Sequence, residues 1–184
     1  MNTYQLIVLI LSSLILITIS WRSLRKIEHH GFYRFLVWEL IIIQVTLQLP
    51  IWFVDPWRWN QLISWMLLLI SVYFVSAGFY FLYRYGGKRK YRIQSPNYSF
   101  ENTTQLVTRG IYSYIRHPLY SSLLFGVWGI FFKSCSWPVS LLALLTTGFI
   151  YLTAKVEEKE NIGTFGPQYR EYMIKSKMVI PYIL

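Results

Sequence analysis

Apolar residues run through this chain in long blocks, and the polar residues gather between them. Five blocks stand out: Tyr4–Ser20, Phe35–Val54, Leu62–Tyr83, His117–Phe132 and Trp137–Ala154. A helix of about 20 apolar residues crosses a hydrocarbon layer about 30 Å thick. The pattern therefore predicts an all-α integral membrane protein with about five transmembrane helices. The second and third blocks are clear spans; the last two are shorter and suit a tilted helix or a tight hairpin beside a water-filled cavity. The first block does not read as a signal peptide, because no basic residue precedes it, Arg22, Arg25 and Lys26 follow it, and no small-residue site closes it.

Composition agrees: 54% of residues are hydrophobic and 14% charged, against about 25% charged in a soluble domain. A net charge of +10 would suggest a nucleic-acid partner in a soluble protein, but the placement of the charges excludes that reading. Sixteen of the 18 Lys and Arg lie in three intervals: between the first and second blocks, between the third and fourth, and after the fifth. Only Arg58 and Lys133 lie in the other two. The positive-inside rule then puts the N-terminus outside and the C-terminus in the cytoplasm. Trp52, Trp57, Trp59 and Trp137 fall at the outer interface, where indoles commonly sit. The single cysteine, Cys135, excludes an intramolecular disulfide and a cysteine zinc cage, and reads as a small apolar residue of the outer loop.

Polar chemistry is thus expected in the 84–116 loop and beyond Ala154. The run Lys88-Arg89-Lys90 reads as an anchor for anionic lipid headgroups. Asn97-Tyr98-Ser99 and Asn102-Thr103-Thr104 fit the glycosylation pattern, but a cytoplasmic loop is not presented to that machinery. The loop ends in Arg116-His117-Pro118-Leu119-Tyr120. Pro118 suits the first turn of a helix, since its missing N–H would be unpaired there. The donors at that helix start, with Arg116 beside them, suit an anionic group, and His117 and Tyr120 lie about one turn apart on one face. An interfacial anchor of Arg, His and Tyr against headgroups explains the same residues.

Glu157-Glu158-Lys159-Glu160 closes the fifth block. Neither a helix C-terminus nor an acidic leaflet favours carboxylates, so they either pair with the basic loop or grip a cationic or hydroxyl-bearing ligand. Pro167 fits the start of a last helix whose Tyr169 and Tyr172 share a face. Glu39, with Gln44 and Gln48 further along the second span, is an intramembrane carboxylate best explained by pairing with Arg34 or a loop arginine.

These clusters together resemble the isoprenylcysteine carboxyl methyltransferase family and its wider phospholipid methyltransferase relatives. The family signature is Arg-His-Pro-x-Tyr, a hydrophobic span, a Glu-Glu pair and then Phe-Gly-x-x-Tyr-x-x-Tyr. It reads here as Arg116-His117-Pro118-Leu119-Tyr120, Glu157-Glu158 and Phe165-Gly166-Pro167-Gln168-Tyr169-Arg170-Glu171-Tyr172. The likeness covers residues 105–184, and the first three spans match only as generic membrane helices. Two positions depart from it: Asn161 stands where relatives commonly have Leu, and Lys175 keeps the charge but not the forked geometry of the usual Arg.

The resemblance implies an S-adenosylmethionine-dependent methyltransferase whose cofactor pocket faces the cytoplasm under a C-terminal cap, without a Rossmann sheet. It divides one membrane domain, 1–184, into three N-terminal spans (1–83), a basic cytoplasmic loop (84–116), and a catalytic helical pair with its cap (117–184). By the same analogy Arg116, His117, Pro118, Tyr120, Glu157 and Glu158 bind the cofactor, while Tyr169, Arg170 and Tyr172 serve at the reacting end. The implied partners are membrane lipids and a lipophilic methyl acceptor; no metal or nucleic acid is expected. Methyl transfer is an in-line displacement that needs alignment and exclusion of water rather than a nucleophilic residue. A carboxylate acceptor is already ionised at neutral pH and needs no base. An amine would need His117 or Glu158 to take its proton. The expectation is O-methylation of an isoprenylcysteine-type carboxylate, with N-methylation of a phospholipid headgroup, a nicotinamide-dependent membrane reductase and a non-catalytic membrane subunit as alternatives.

Overall fold

The computed structural model describes residues 1–87 and 103–180. The Lys88-Arg89-Lys90 run, Asn97-Tyr98-Ser99, Asn102 and Pro181 lie outside the described residues. Six α-helices are described: α1 (Thr3–Leu24), α2 (His30–Gln48), α3 (Trp59–Tyr85), α4 (Pro118–Phe131), α5 (Trp137–Phe165) and α6 (Pro167–Lys175). Short 3-10 turns occupy Leu49–Ile51 and Gly110–Ser113. No strand occurs among the described residues, where one isolated bridge joins Ile115 to Lys177.

The stretches Thr3–Leu24, His30–Ile51, Trp59–Tyr85 and Trp137–Phe165 are long and apolar enough to cross a membrane. Their outward faces carry large exposed apolar residues, among them Ile10, Leu14 and Leu69, as a helix solvated by lipid requires. α4 differs from the fourth predicted span. Its 14 residues give a rod of about 21 Å, short of the hydrocarbon thickness. α5 differs in the other direction. It does not stop near Ala154 but continues through Glu157, Glu158 and Glu160 to Phe165, so the acidic cluster rides on an extension of the span.

The helices are tied by amides as well as by apolar contacts. Asn2 and Gln5 form a capping box at the start of α1, with bonds of 2.9 and 2.8 Å. Gln5 Nε2 then donates to the Thr46 carbonyl of α2 at 2.9 Å. Gln44 and Gln48 of α2 donate to the Val127 and Ile130 carbonyls of α4, each at 3.2 Å. Ser71 of α3 donates to the Ser122 carbonyl at 2.7 Å. In a solvent without water such bonds orient helices that hydrophobic burial cannot sort. The Glu39 carboxylate accepts from Ser13 of α1 at 2.8 Å. The expected Glu39–Arg34 pairing is not the one found, because five residues of helix turn the two side chains to different faces. The core gathers Val37, Tyr120, Val127, Ala143, Ile150, Ala154, Met178 and Val179.

Candidate active site

A cavity of about 550 Å³ opens at the end of the bundle where α2, α4 and α6 begin and α3 and α5 finish. Its size lies within the range of small-molecule and cofactor sites. Tyr112, Arg116, His117, Pro118, Tyr120 and Glu157 form a polar wall, with Asn161, Phe165, Tyr169 and Tyr172 beside it. The opposite wall is apolar and reaches into the spans through Leu16, Ile19, Trp38, Val75, Phe79 and Leu123.

The polar wall is held by the last described segment. The Arg116 N–H donates to the Lys177 carbonyl at 2.8 Å, the His117 N–H to that of Met178 at 3.0 Å, and the Lys177 N–H to that of Tyr114 at 2.9 Å. The Arg116 side chain fastens α6: its Nη1 donates to the carbonyls of Met173, at 3.1 Å, and Ser176, near the helix C-terminus, where a cation is favoured. Its Nε donates to Glu158 Oε1 at 2.8 Å and its Nη2 lies 2.7 Å from the same oxygen. Lys155 Nζ approaches the other Glu158 oxygen at 3.5 Å. Glu158 is therefore turned into a buried ion pair and is not among the cavity-lining residues, whereas Glu157 is.

Above Glu157 the Tyr120 hydroxyl donates to Oε2. His117 stacks on the Tyr120 ring, with centroids 5.3 Å apart, and its Nδ1 stands 3.8 Å from Glu157. His117 Nε2 is buried without a hydrogen-bond partner among the described residues. Burial pulls the His117 pKa below its ordinary value of 6.5, outweighing the opposite pull of Glu157 and Glu158. The imidazole is neutral at pH 7. Burial likewise pushes the phenols of Tyr112, Tyr169 and Tyr172 above their ordinary value of 10, so they remain neutral donors. The Tyr172 hydroxyl donates to the Tyr112 carbonyl at 2.6 Å, and Asn161 Nδ2 donates to the Tyr169 hydroxyl at 3.5 Å.

Two glycines make these bends. Gly110 has φ +62, and a Cβ there would lie 2.1 Å from the Phe81 ring; it lets the chain lie flat on α3 before Tyr112. Gly166 has φ +60 and ψ −134, a conformation open almost only to glycine. It breaks α5 from α6 and folds Tyr169 and Tyr172 back over the cavity. Arg170, on the same short helix, is exposed and is not among the lining residues. Arg34, Trp38, Tyr112 and Asn161 line the cavity without having been expected to. Asn161 is a departure from the family pattern, and Arg34 is the residue that the sequence offered as a partner for Glu39.

Beside the cavity, His29, His30 and Glu160 place ligand-type atoms within 4.8 Å of one another. The Gly31 N–H donates to His29 Nδ1 at 3.0 Å. That bond leaves the ring proton on Nε2, which faces Glu160 Oε2 at 3.3 Å. The His30 N–H donates to Glu160 Oε1 at 2.9 Å, and His30 Nδ1 lies 2.7 Å from Oε2. This set is a hydrogen-bonded clasp between the α1–α2 corner and α5.

The comparisons with known proteins point one way. Methanethiol S-methyltransferase 1 of Bradyrhizobium diazoefficiens is 31% identical over 77 residues, which cover 39% of this chain and 25% of the relative. Methanethiol S-methyltransferase of Pseudomonas sp. (strain GM41(2012)) is 25% identical over 148 residues, covering 77% of this chain and 54% of the relative. That of Crocosphaera subtropica is 25% identical over 125 residues, covering 66% and 44%. The chain spans about half the length, or less, of these curated relatives. No solved structure matches it. The profile of the phospholipid methyltransferase family matches residues 59–168, from the start of α3 through the cavity's polar wall to the turn that opens α6, and the chain belongs to that family.

Proposed function

We propose that this protein transfers a methyl group from S-adenosylmethionine to a lipophilic acceptor at the cytoplasmic face of a membrane. The observation that carries the reading is a single cavity with an acidic, aromatic wall at the bundle end and an apolar wall running into the spans. The buried Nε2 of His117, without a hydrogen-bond partner among the described residues and 3.9 Å from Glu158 Oε1, and the Glu157 carboxylate on the same wall fit a ligand bearing hydroxyl and cationic groups. When bound, S-adenosylmethionine supplies a methyl group on a sulfonium for in-line displacement. Glu157 attracts positive charge, Tyr120 orients that carboxylate, and His117 offers a neutral nitrogen. Tyr169 and Tyr172 lie over the site and exclude water, which alignment-driven catalysis requires. Arg116 and Glu158 hold the cap in place. The cytoplasmic orientation rests on the sixteen basic residues that the sequence gathers in the three intervals after the first, third and fifth apolar blocks.

For the acceptor, the proposal is a carboxylate of the isoprenylcysteine type, which reaches the cavity through its apolar wall and needs no base. A thiol acceptor is the second reading, because the relatives are named methanethiol S-methyltransferases. Calorimetric titration of S-adenosylmethionine into the detergent-purified protein tests the proposal. Saturable binding by wild type, weakened in Glu157→Gln and His117→Ala, is the expected result. A folded wild type that takes up no S-adenosylmethionine overturns it and brings the reductase and non-catalytic alternatives forward.

A further inference from the structure

Past Ala154, α5 leaves its apolar block and carries a second pattern on one face. Glu157, Asn161 and Phe165 stand four residues apart, and all three line the cavity. Residues at that spacing are neighbours on a helix, each about 6 Å beyond the last along the axis. In order away from the apolar block, the wall therefore presents a carboxylate, an amide and a phenyl ring. Across the bend at Gly166 the Tyr169 ring joins them, 22° from parallel with that of Phe165 and with centroids 6.5 Å apart. Asn161 is the neutral polar member of the row. Its Nδ2 donates to the Tyr169 hydroxyl at 3.5 Å, the one hydrogen bond of this side chain among the described residues. That bond fixes which way the amide faces and leaves Oδ1 and a second Nδ2 hydrogen for a ligand.

A primary amide beside aromatic faces has a specific complement. One donor and one acceptor side by side match N7 and the exocyclic amino group of adenine, the edge that asparagine reads bidentately in nucleic acids, and aromatic rings stack on the base. The leucine of the family pattern would offer only apolar contact there. We propose that Asn161 forms a purine subsite that reads the adenine of the methyl donor. Its Oδ1 accepts from the exocyclic amino group, its Nδ2 donates to N7, and the base stacks on the faces of Phe165 and Tyr169. The ribose hydroxyls then fall one helical turn back, at Glu157, and the sulfonium lies beyond them, toward Tyr120 and the apolar wall of Val75 and Leu123. The inference rests on the methyl-transfer reading and adds to it a residue that selects the base. It also gives the donor a direction, with adenine at the end of the bundle and the methyl group toward the spans. Tyr169 covers the base rather than the reacting carbon.

The test uses the full chain in neutral detergent and calorimetric titration with three ligands. They are S-adenosylhomocysteine, its 7-deaza analogue, in which a C–H replaces N7, and S-inosylhomocysteine, in which an oxygen replaces the exocyclic amino group. Wild type should bind S-adenosylhomocysteine about tenfold or more tightly than either analogue, the scale of a hydrogen bond left unmade in a buried site. Asn161→Leu should bind all three alike. Asn161→Asp should separate the two contacts. It keeps an acceptor for the amino group and so still rejects the inosyl compound, but it has no donor for N7 and so loses the preference over the 7-deaza compound. A merely structural role of Asn161 would weaken the three ligands equally and leave their ratios at the wild-type values. Should Asn161→Leu fail to fold, wild type and Asn161→Asp decide. Equal affinity of wild type for the three ligands, or wild-type ratios that survive in Asn161→Leu, overturns the subsite alone. Absence of S-adenosylhomocysteine binding by folded wild type overturns the methyl-transfer reading and the subsite with it.

Discussion

At the end of the bundle away from the cavity, Lys133 is buried at 2% exposure, its ammonium 3.4 Å from the centre of the Trp65 ring and 2.9 Å from Gln61 Oε1. Its carbonyl accepts from Asn60 and Gln61, at 3.2 and 3.4 Å. At the cavity end Arg116, its side chain 8% exposed, has as partners the Glu158 carboxylate and the carbonyls that finish α6. The first arrangement uses neutral groups and a ring face, which hold a cation without needing an opposite charge. The second needs its carboxylate, because a buried charge loses far more when its partner is removed than the pair contributes while intact. One end ties helices together. The other places paired charges beside a cavity, where the pairing decides which charge remains available to a ligand.

Removing Arg116 tests that difference most severely. Arg116→Ala strands Glu158 in a buried site and frees the end of α6, and a loss of about 3–5 kcal/mol is expected, seen as a lower midpoint of thermal unfolding in detergent. Gly110→Ala comes next. A Cβ against the Phe81 ring and a positive φ cost about 2–4 kcal/mol together, measured the same way; an unchanged midpoint would mean that the 3-10 turn is not held against α3. Tyr120→Phe keeps the ring but removes the donor to Glu157. Donor affinity should fall by about 1.5–3 kcal/mol with little change in stability, which separates the cavity's polar wall from its scaffold. Lys133→Met makes the contrasting case: it costs about 1 kcal/mol and leaves S-adenosylmethionine affinity untouched. A large effect on binding there would join the two ends functionally.

The smallest expected effect is the pH dependence set by His117. Because its folded pKa lies below 6.5, the unfolded chain takes up a proton first as pH falls. The stability that depends on a neutral His117 is complete above about 6.5 and declines below it. Unfolding midpoints should be flat from pH 8 to 6.5 and drop in acid, and His117→Gln should shallow the drop. A rise in stability on acidification would place a charged imidazole against Glu157 instead.

Much of the site was legible in the sequence because its chemistry is local. Arg116 to Tyr120 are consecutive, Pro118 opens α4, Pro167 opens α6, and Tyr169 and Tyr172 fall three apart. What local pattern did not contain was which members of each cluster meet. Glu157 and Glu158 are adjacent and chemically identical, yet the helix turns one into the cavity and the other onto Arg116. Arg34 and Arg170 both carry guanidinium groups near the expected site; only the packing of α2 against α4 and α5 distinguishes the lining residue from the exposed one. The end of α5 was missed for a related reason, since charged residues end an apolar block without ending a helix whose backbone bonds continue.

By itself the sequence determined the apolar helices that suit a membrane and the family motifs at Arg116–Tyr120, Glu157-Glu158 and Phe165–Tyr172, because block length, composition and short motifs act through neighbouring residues. Tertiary structure decided the lengths of α4 and α5, the fastening of the cap through Arg116, and the arrival of Arg34 and Trp38 on the cavity that Glu157 lines. Those contacts join residues scores of positions apart, and they are fixed by helix rotation and packing, which no local spacing encodes.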